Sequence, residues 1–254
     1  MKVSKLWAAG ALGASALALG YAGYSGVLTG EAVAAEGAQQ GLLHRVDNFQ
    51  LADQKFDSHE LYRMADAKAV VIFVQGNGCP IVRNVLPALK ELRQAYAAQG
   101  VEFLMLNSNI QDNREAILHE AAEYAFNDFP VLIDANQLVG EQLGVTRTAE
   151  VIVIDPKTWR IAYRGPIDDR VVYERQKAKA DATWAKDAID AVVAGKKPAV
   201  TDKEPMGCIV NFPERDKAQE FAKISYAKQV APILEEKCVA CHQAGGIGPM
   251  QLTS

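Results

Sequence analysis

Ala69-Val70-Val71-Ile72-Phe73-Val74 is an unbroken apolar run, β-branched or aromatic at every position after Ala69, and such a run needs cover on both sides. Six residues are too few for a buried helix, and Gly76-Asn77-Gly78 breaks the run at once, so it reads as a central strand. From Pro80 to about Ala98 the apolar residues Ile81, Val82, Val85, Leu86, Leu89, Leu92 and Tyr96 fall at helical spacing, with Pro80 suited to the first turn. Val101 to Leu106 predicts a second buried strand, Arg114 to Tyr124 a helix, and Pro130 to Asp134 a short strand. Glu150 to Asp155 and Ile161 to Gly165 read as further strands around a Pro156-Lys157-Thr158 turn, and a helix near Ala182 to Ala194 closes at Gly195. Asn48 to Asp53 adds a short strand at the start. Strands alternating with helices predict an α/β fold, its sheet covered by helices on both faces.

Ahead of this region the chain begins Met1-Lys2-Val3-Ser4-Lys5, runs apolar from Leu6 to about Leu28, and reaches Val33-Ala34-Ala35. A basic start, an apolar middle and small residues before a cleavage point predict a secretory signal over residues 1–35, and hence an exported, periplasmic protein. An uncleaved membrane anchor is the alternative, because about 20 apolar residues span a bilayer. The net charge of −4 comes with no basic stripe and no aromatic-basic interleaving, so no nucleic-acid partner is expected. The lysines from Lys177 to Lys203 read as a solvated helix face and linker.

Near the other end stands Cys238-Val239-Ala240-Cys241-His242. Cys-x-x-Cys-His is the pattern that attaches a c-type haem: two thioethers from the cysteines and one axial iron bond from the histidine. It predicts haem c as cofactor, held by Cys238, Cys241 and His242, with His242 as the metal ligand. A zinc site would need two further ligands nearby, and the sequence offers none. Attachment outside the cytoplasm agrees with the export signal.

Cys79 follows the buried strand and the glycine turn and opens a helix, where the helix dipole and unpaired N–H groups favour a thiolate. Pro87 lies eight residues further on. The strand order, Cys79 and Pro87 resemble the thioredoxin-like fold, in which the attacking cysteine sits at this place. Phe129-Pro130-Val131-Leu132-Ile133-Asp134 and Tyr163-Arg164-Gly165-Pro166-Ile167-Asp168-Asp169-Arg170 resemble the redoxin branch related to peroxiredoxins and to periplasmic thiol reductases. The resemblance covers most of residues 40 to 200. It implies thiol chemistry at Cys79, with a redox partner protein or a small thiol or peroxide as substrate.

Three positions depart from that pattern. Val82 stands where thioredoxins carry their second cysteine, so no local Cys-x-x-Cys disulfide can form. Ala149 stands where a cis-proline usually precedes the strand, and a trans bond is expected there because a non-proline cis bond costs about 3 kcal/mol. Gly76 replaces the hydroxyl residue that peroxiredoxins place three residues before the reactive cysteine. The remaining thiol is Cys208; with two cysteines assigned to haem, Cys79 and Cys208 are the one pair left in an oxidising compartment. The pair would let Cys79 attack and Cys208 resolve by exchange; a purely structural bridge and no bridge at all are the alternatives. His44, His59 and His119 show no spacing that points to Cys79, so a Cu(I) thiolate site finds little support.

Gly195 to Pro205 has linker composition, and the redoxin boundary falls there, or after Cys208 if that residue packs back. Tyr226 to Leu234, on a partly amphipathic stretch from Ile224 to Glu236, and the run from Cys238 to Met250 resemble the first helix and haem turn of bacterial c-type cytochromes. The sequence therefore divides into a signal at 1–35, a thioredoxin-like redoxin domain at 36–205, a linker at 206–222 and a short, truncated all-α cytochrome c segment at 223–254. Met250 reads as a packing residue rather than the second axial ligand. Three functions are compatible: an exported redox protein joining a redoxin domain to an electron-carrying haem, a thiol peroxidase or disulfide oxidoreductase acting through Cys79 with Cys208, and a noncatalytic scaffold of redoxin shape.

Overall fold

The computed structural model of the chain describes residues 44–172 and 175–252. The signal read at 1–35 lies outside them, and among the described residues no helix is long and apolar enough to cross a membrane. A five-stranded sheet forms the centre, built from β3 (Ala69–Val74), β4 (Val101–Asn107), β5 (Val131–Ile133), β6 (Val151–Asp155) and β7 (Arg160–Gly165) in the order β5-β4-β3-β6-β7. β3, β4 and β5 run parallel, while β6 is antiparallel to β3 and to β7. Every residue of β3 is fully buried, as its apolar run requires, and burying each Val, Ile or Phe stabilises the fold by roughly 1.5–3 kcal/mol.

Alternation along the strands divides the core in two. Val71, Phe73, Phe103 and Met105 face α1 (Pro80–Tyr96), α2 (Arg114–Glu123) and α4 (Trp184–Val193). Val70, Ile72, Val74 and Leu106 face the other way, onto Val46, Leu61, the short helix α3 (Leu138–Gln142) and its neighbours, and a returning piece of chain that includes Val210 and Phe212. This is the mixed α/β arrangement that the resemblance to thioredoxin-like proteins implied. The small antiparallel pairs β1 (Gln50–Ala52) with β2 (Ser58–Glu60) and β8 (Val171–Val172) with β9 (Arg175–Gln176) stand outside the main sheet.

Beyond α4 the structure departs from the sequence reading. After β7 the chain comes back alongside it, where Arg164 N donates to Thr201 O and Lys203 N to Arg164 O, both at 3.0 Å. It then crosses to residues 146–148: Arg147 and Ile209 form an antiparallel bridge, and Val210 N donates to Thr146 O at 3.0 Å. Val210 and Phe212 are 2% and 0% exposed. Residues 206–212, read as the start of a linker, are thus part of the redoxin body, because two apolar side chains fill the core on that face.

From Pro213 onward no described residue is buried. This stretch carries α5 (Pro213–Phe221), a π-helical turn at Tyr226–Val230 and α6 (Ala231–Lys237), and it leaves Phe221, Tyr226, Ile233, Ile247 and Met250 exposed. Helices are present where an all-α segment was expected, but they enclose no core of their own. The helix expected from Ile224 to Glu236 runs without a gap from Tyr226 to Lys237, its first turn π-helical: Pro232 has no N–H for the carbonyl four residues back, and the preceding turn widens.

Candidate active site

Cys79 is the N-cap residue of α1, with Pro80 in the first turn and Pro87 inside the helix. The turn before it is held from below. Gly78 adopts φ +73°, a conformation glycine takes without strain, and its N–H donates to both carboxylate oxygens of Glu120 at 2.8 and 3.1 Å. Arg83 Nε donates to the same carboxylate at 3.1 Å. Asn77 N–H donates to Asp112 Oδ2, which also accepts from Asn107 Nδ2. These contacts fix the loop that aims Cys79 at its neighbours.

Its principal neighbour is Cys208. The two sulfurs lie 2.8 Å apart as free thiols. A disulfide bond is about 2.05 Å long, so the pair needs only a small adjustment to close. Cys208 reaches Cys79 because residues 206–212 return to the body, and that return is tight at Gly207: a Cβ there would stand 1.8 Å from Thr148 O.

Thr148 joins the two cysteines. Its Oγ1 lies 3.1 Å from Cys79 Sγ and accepts the Cys208 N–H at 2.9 Å, while its own N–H donates to Cys208 O at 2.8 Å. A hydroxyl carries one proton, so with Cys208 N–H already donating to it, its O–H is free to donate to the sulfur of Cys79. Thr148 also explains Gly76, where a Cβ would stand 2.6 Å from Thr148 Cγ2. The hydroxyl missing at position 76 is supplied from another loop, and glycine makes room for it. Ala149, next in sequence, has φ +59°, and no cis peptide bond occurs among the described residues, in line with the trans bond expected there.

The two thiols differ. Burial works to raise the pKa of Cys79, but hydrogen bonds from the Cys208 thiol, from Thr148 and from the backbone N–H groups of Val82 and Cys208 outweigh it and bring the thiol below its ordinary value. The Cys208 thiol is pushed up to about 11, by burial and by its hydrogen bond and charge interaction with Cys79, against smaller opposing effects of Thr148 and Arg147. Exposure runs the other way: Cys79 is 4% exposed, whereas Cys208 is exposed.

The remaining expected site residues lie in the segment after Phe212. Cys238 caps the end of α6, and the N–H groups of Cys241 and His242 donate to its carbonyl at 3.1 and 3.0 Å. Both cysteines are free thiols. His242 Nδ1 lies 2.9 Å from the Met250 carbonyl, an acceptor, so the proton belongs on Nδ1 and the lone pair on Nε2. Met250 meets His242 through its backbone carbonyl, and the residue is 65% exposed. His44, His59 and His119 are engaged elsewhere, with Gln142 O, Asp53 and Glu123. Among the described residues no group of three or more His, Cys, Asp or Glu side chains is placed to hold a metal ion.

Thr148, Glu120 and Asp112 were not singled out from the sequence. Glu120 carried a signal, since it shares the buried face of α2 with Ile117 and Ala121, and a carboxylate on an apolar face needs a partner.

A family model described as Redoxin matches residues 44–182. The match includes Cys79 and Thr148 and stops before Cys208 and the haem-type motif. Among solved structures, the chain is similar to a hypothetical protein from Sinorhizobium meliloti 1021, at 29% identity over 66% of this chain and 93% of that one, with a TM-score of 0.58. It is also similar to an uncharacterized conserved protein from Geobacillus kaustophilus, at 26% identity over 67% of this chain and 92% of that one, with a TM-score of 0.57. Comparison with curated proteins gives no match.

Proposed function

Because this chain belongs to the redoxin family, we propose that it is an exported thiol–disulfide oxidoreductase whose working pair is Cys79 and Cys208. The 2.8 Å separation of their sulfurs carries the reading. Two thiols on separate segments, one with a lowered pKa at a helix N-terminus, meet through a glycine that tolerates no side chain, and this supports cycling between dithiol and disulfide. Export rests on the leader-like residues 1–35 and suits a pair that works oxidised. Peroxide is the competing oxidant, favoured by the Thr148 hydroxyl at Cys79. The Cys79 thiolate would take one peroxide oxygen to become a sulfenic acid, the other oxygen leaving as hydroxide or alkoxide and taking a proton, and Cys208 would condense with the sulfenic acid to release water and leave the same disulfide.

The test is a titration in glutathione redox buffers, with thiols counted on tryptic peptides 69–83 and 204–215, which hold Cys79 and Cys208 separately. The wild-type chain is expected to lose both thiols together as the buffer becomes oxidising. Cys79→Ser and Cys208→Ser are each expected to abolish that joint transition. A transition that survives either substitution would overturn the reading.

The motif at 238–242 supports a second redox centre. The His242 imidazole is in the tautomer that leaves Nε2 free, and a backbone carbonyl holding the other nitrogen is the usual support of a ligating histidine. The residues present fit haem c: Cys238 and Cys241 would hold it by thioethers and His242 would bind the iron. When bound, the haem supplies a one-electron centre. Tyr226, Ile233, Ile247 and Met250, on the same stretch of chain, are apolar and exposed. A dithiol delivers two electrons and a haem takes one, so the two centres act independently in this reading. Expressed in a periplasm competent for haem attachment, the tryptic peptide 238–254 should carry the mass of haem. An unmodified peptide would sink the haem assignment and leave the thiol pair standing.

A further inference from the structure

We infer that Cys208, and not the helix-opening Cys79, is the sulfur at which partner thiols enter and leave the disulfide cycle. This rests on the thiol–disulfide reading above and sets the order of events within it. In thiol–disulfide exchange the incoming thiolate approaches one sulfur in line with the bond and expels the other, so access to the attacked sulfur and stability of the leaving one decide the direction. Here both favour the same choice. Cys79 is 4% exposed, enclosed by the helix start, Thr148 and the returning chain. Cys208 is an exposed residue on that returning chain, so a partner can approach it from solvent where it cannot approach Cys79.

The leaving position is equally prepared. When the bond breaks, Cys79 keeps the electron pair at the N-terminus of α1, and Thr148 Oγ1, which accepts the Cys208 N–H, turns its own proton to that sulfur. Of the groups that lower the Cys79 pKa in the free pair, Thr148 and the backbone N–H groups of Val82 and Cys208 remain in place when Cys208 carries the donor sulfur, and a stabilised thiolate leaves faster.

The balanced reaction uses a dithiol donor. One donor thiolate forms a bond to Cys208 Sγ, the Cys79–Cys208 bond breaks, and Cys79 departs as a thiolate. The second donor thiolate then attacks the donor sulfur of the mixed disulfide, the donor closes its own disulfide, and Cys208 leaves with the electron pair and takes a proton. Two electrons pass from the donor to the pair. Oxidation by the same partner retraces these steps, so Cys79 becomes the buried resolving thiolate that attacks a mixed disulfide on Cys208.

The experiment uses the oxidised full-length chain with reduced glutathione as the probe. Samples are quenched in acid at the earliest accessible times, alkylated, and mapped on peptides 69–83 and 204–215. Glutathione is expected on 204–215 over 69–83 by about tenfold or more, with Cys79 alkylated. Glutathione mainly on 69–83 would overturn this order while leaving the exchange reading intact. Absence of a linked Cys79–Cys208 peptide before glutathione is added would overturn both.

Discussion

Thr148 is the residue on which the site turns. It touches both cysteines, and two glycines far apart in sequence, Gly76 and Gly207, give way to it. Thr148→Val keeps the shape and removes the hydroxyl. A hydrogen bond to an ionised group contributes about 1.5–3 kcal/mol, so alkylation of Cys79 at pH 7 should fall about tenfold or more and its pH profile should move alkaline. Thr148→Ser should restore both, and an unchanged profile in Thr148→Val would remove the hydroxyl from the account. Glu150, two residues on, makes a different prediction. It is fully buried; burial raises its pKa from 4.5 to about 7 in spite of Arg164, which contacts only Oε1, while Oε2 has no hydrogen-bond partner. A carboxyl whose folded pKa lies above its unfolded value contributes stability fully at low pH and loses it as pH rises through that interval. Denaturant unfolding of Glu150→Gln against wild type should therefore show the variant gaining relative stability between about pH 4.5 and 7; a difference that is flat over that interval would contradict the buried-carboxyl argument.

Among the elements, the returning segment matters most, and Gly207 is its tightest point. With Gly207→Ala, a methyl group placed 1.8 Å from a backbone oxygen forces the segment off Thr148. Alkylation of Cys208 should then become independent of the state of Cys79, and joint oxidation of the pair should be lost. Sequence reading found the elements whose signals are long and local: β3 as a continuous apolar run, α1 from helical spacing, and Cys79 at the junction between them. It set the boundary at Pro205 because Met206, Cys208, Ile209, Val210 and Phe212 give no clean period of two, and nothing in that pattern says that Val210 and Phe212 are the buried ones. Thr148 was hidden for a related reason. Nothing in the residues around it encodes that a chain 60 positions further on will lie across its hydroxyl. The elements α3, β8 and β9 are two to five residues long and owe their form to tertiary contacts rather than to any periodicity.

At the scale of the whole molecule, the described residues form a folded body completed by its own return segment and followed, from Pro213, by a stretch without buried residues. That division predicts the outcome of truncation. A chain ending after Phe212 should unfold cooperatively at nearly the temperature of the full-length protein. A chain ending after Pro205 loses Val210, Phe212 and Cys208, and removal of a fully buried aromatic side chain alone costs about 3–5 kcal/mol. Equal melting temperatures for the two truncations would contradict the place given to residues 206–212. The same division puts the Cys79–Cys208 pair in a packed fold and residues 238–242 in the stretch without buried residues.

Whether Cys79 and Cys208 work as one redox pair is decided by a tryptic map of the oxidised chain run without reductant. Peptides 69–83 and 204–215 should migrate as a single linked species that separates into two on reduction. Free, separately alkylated peptides, or either peptide linked instead to 238–254, would contradict it.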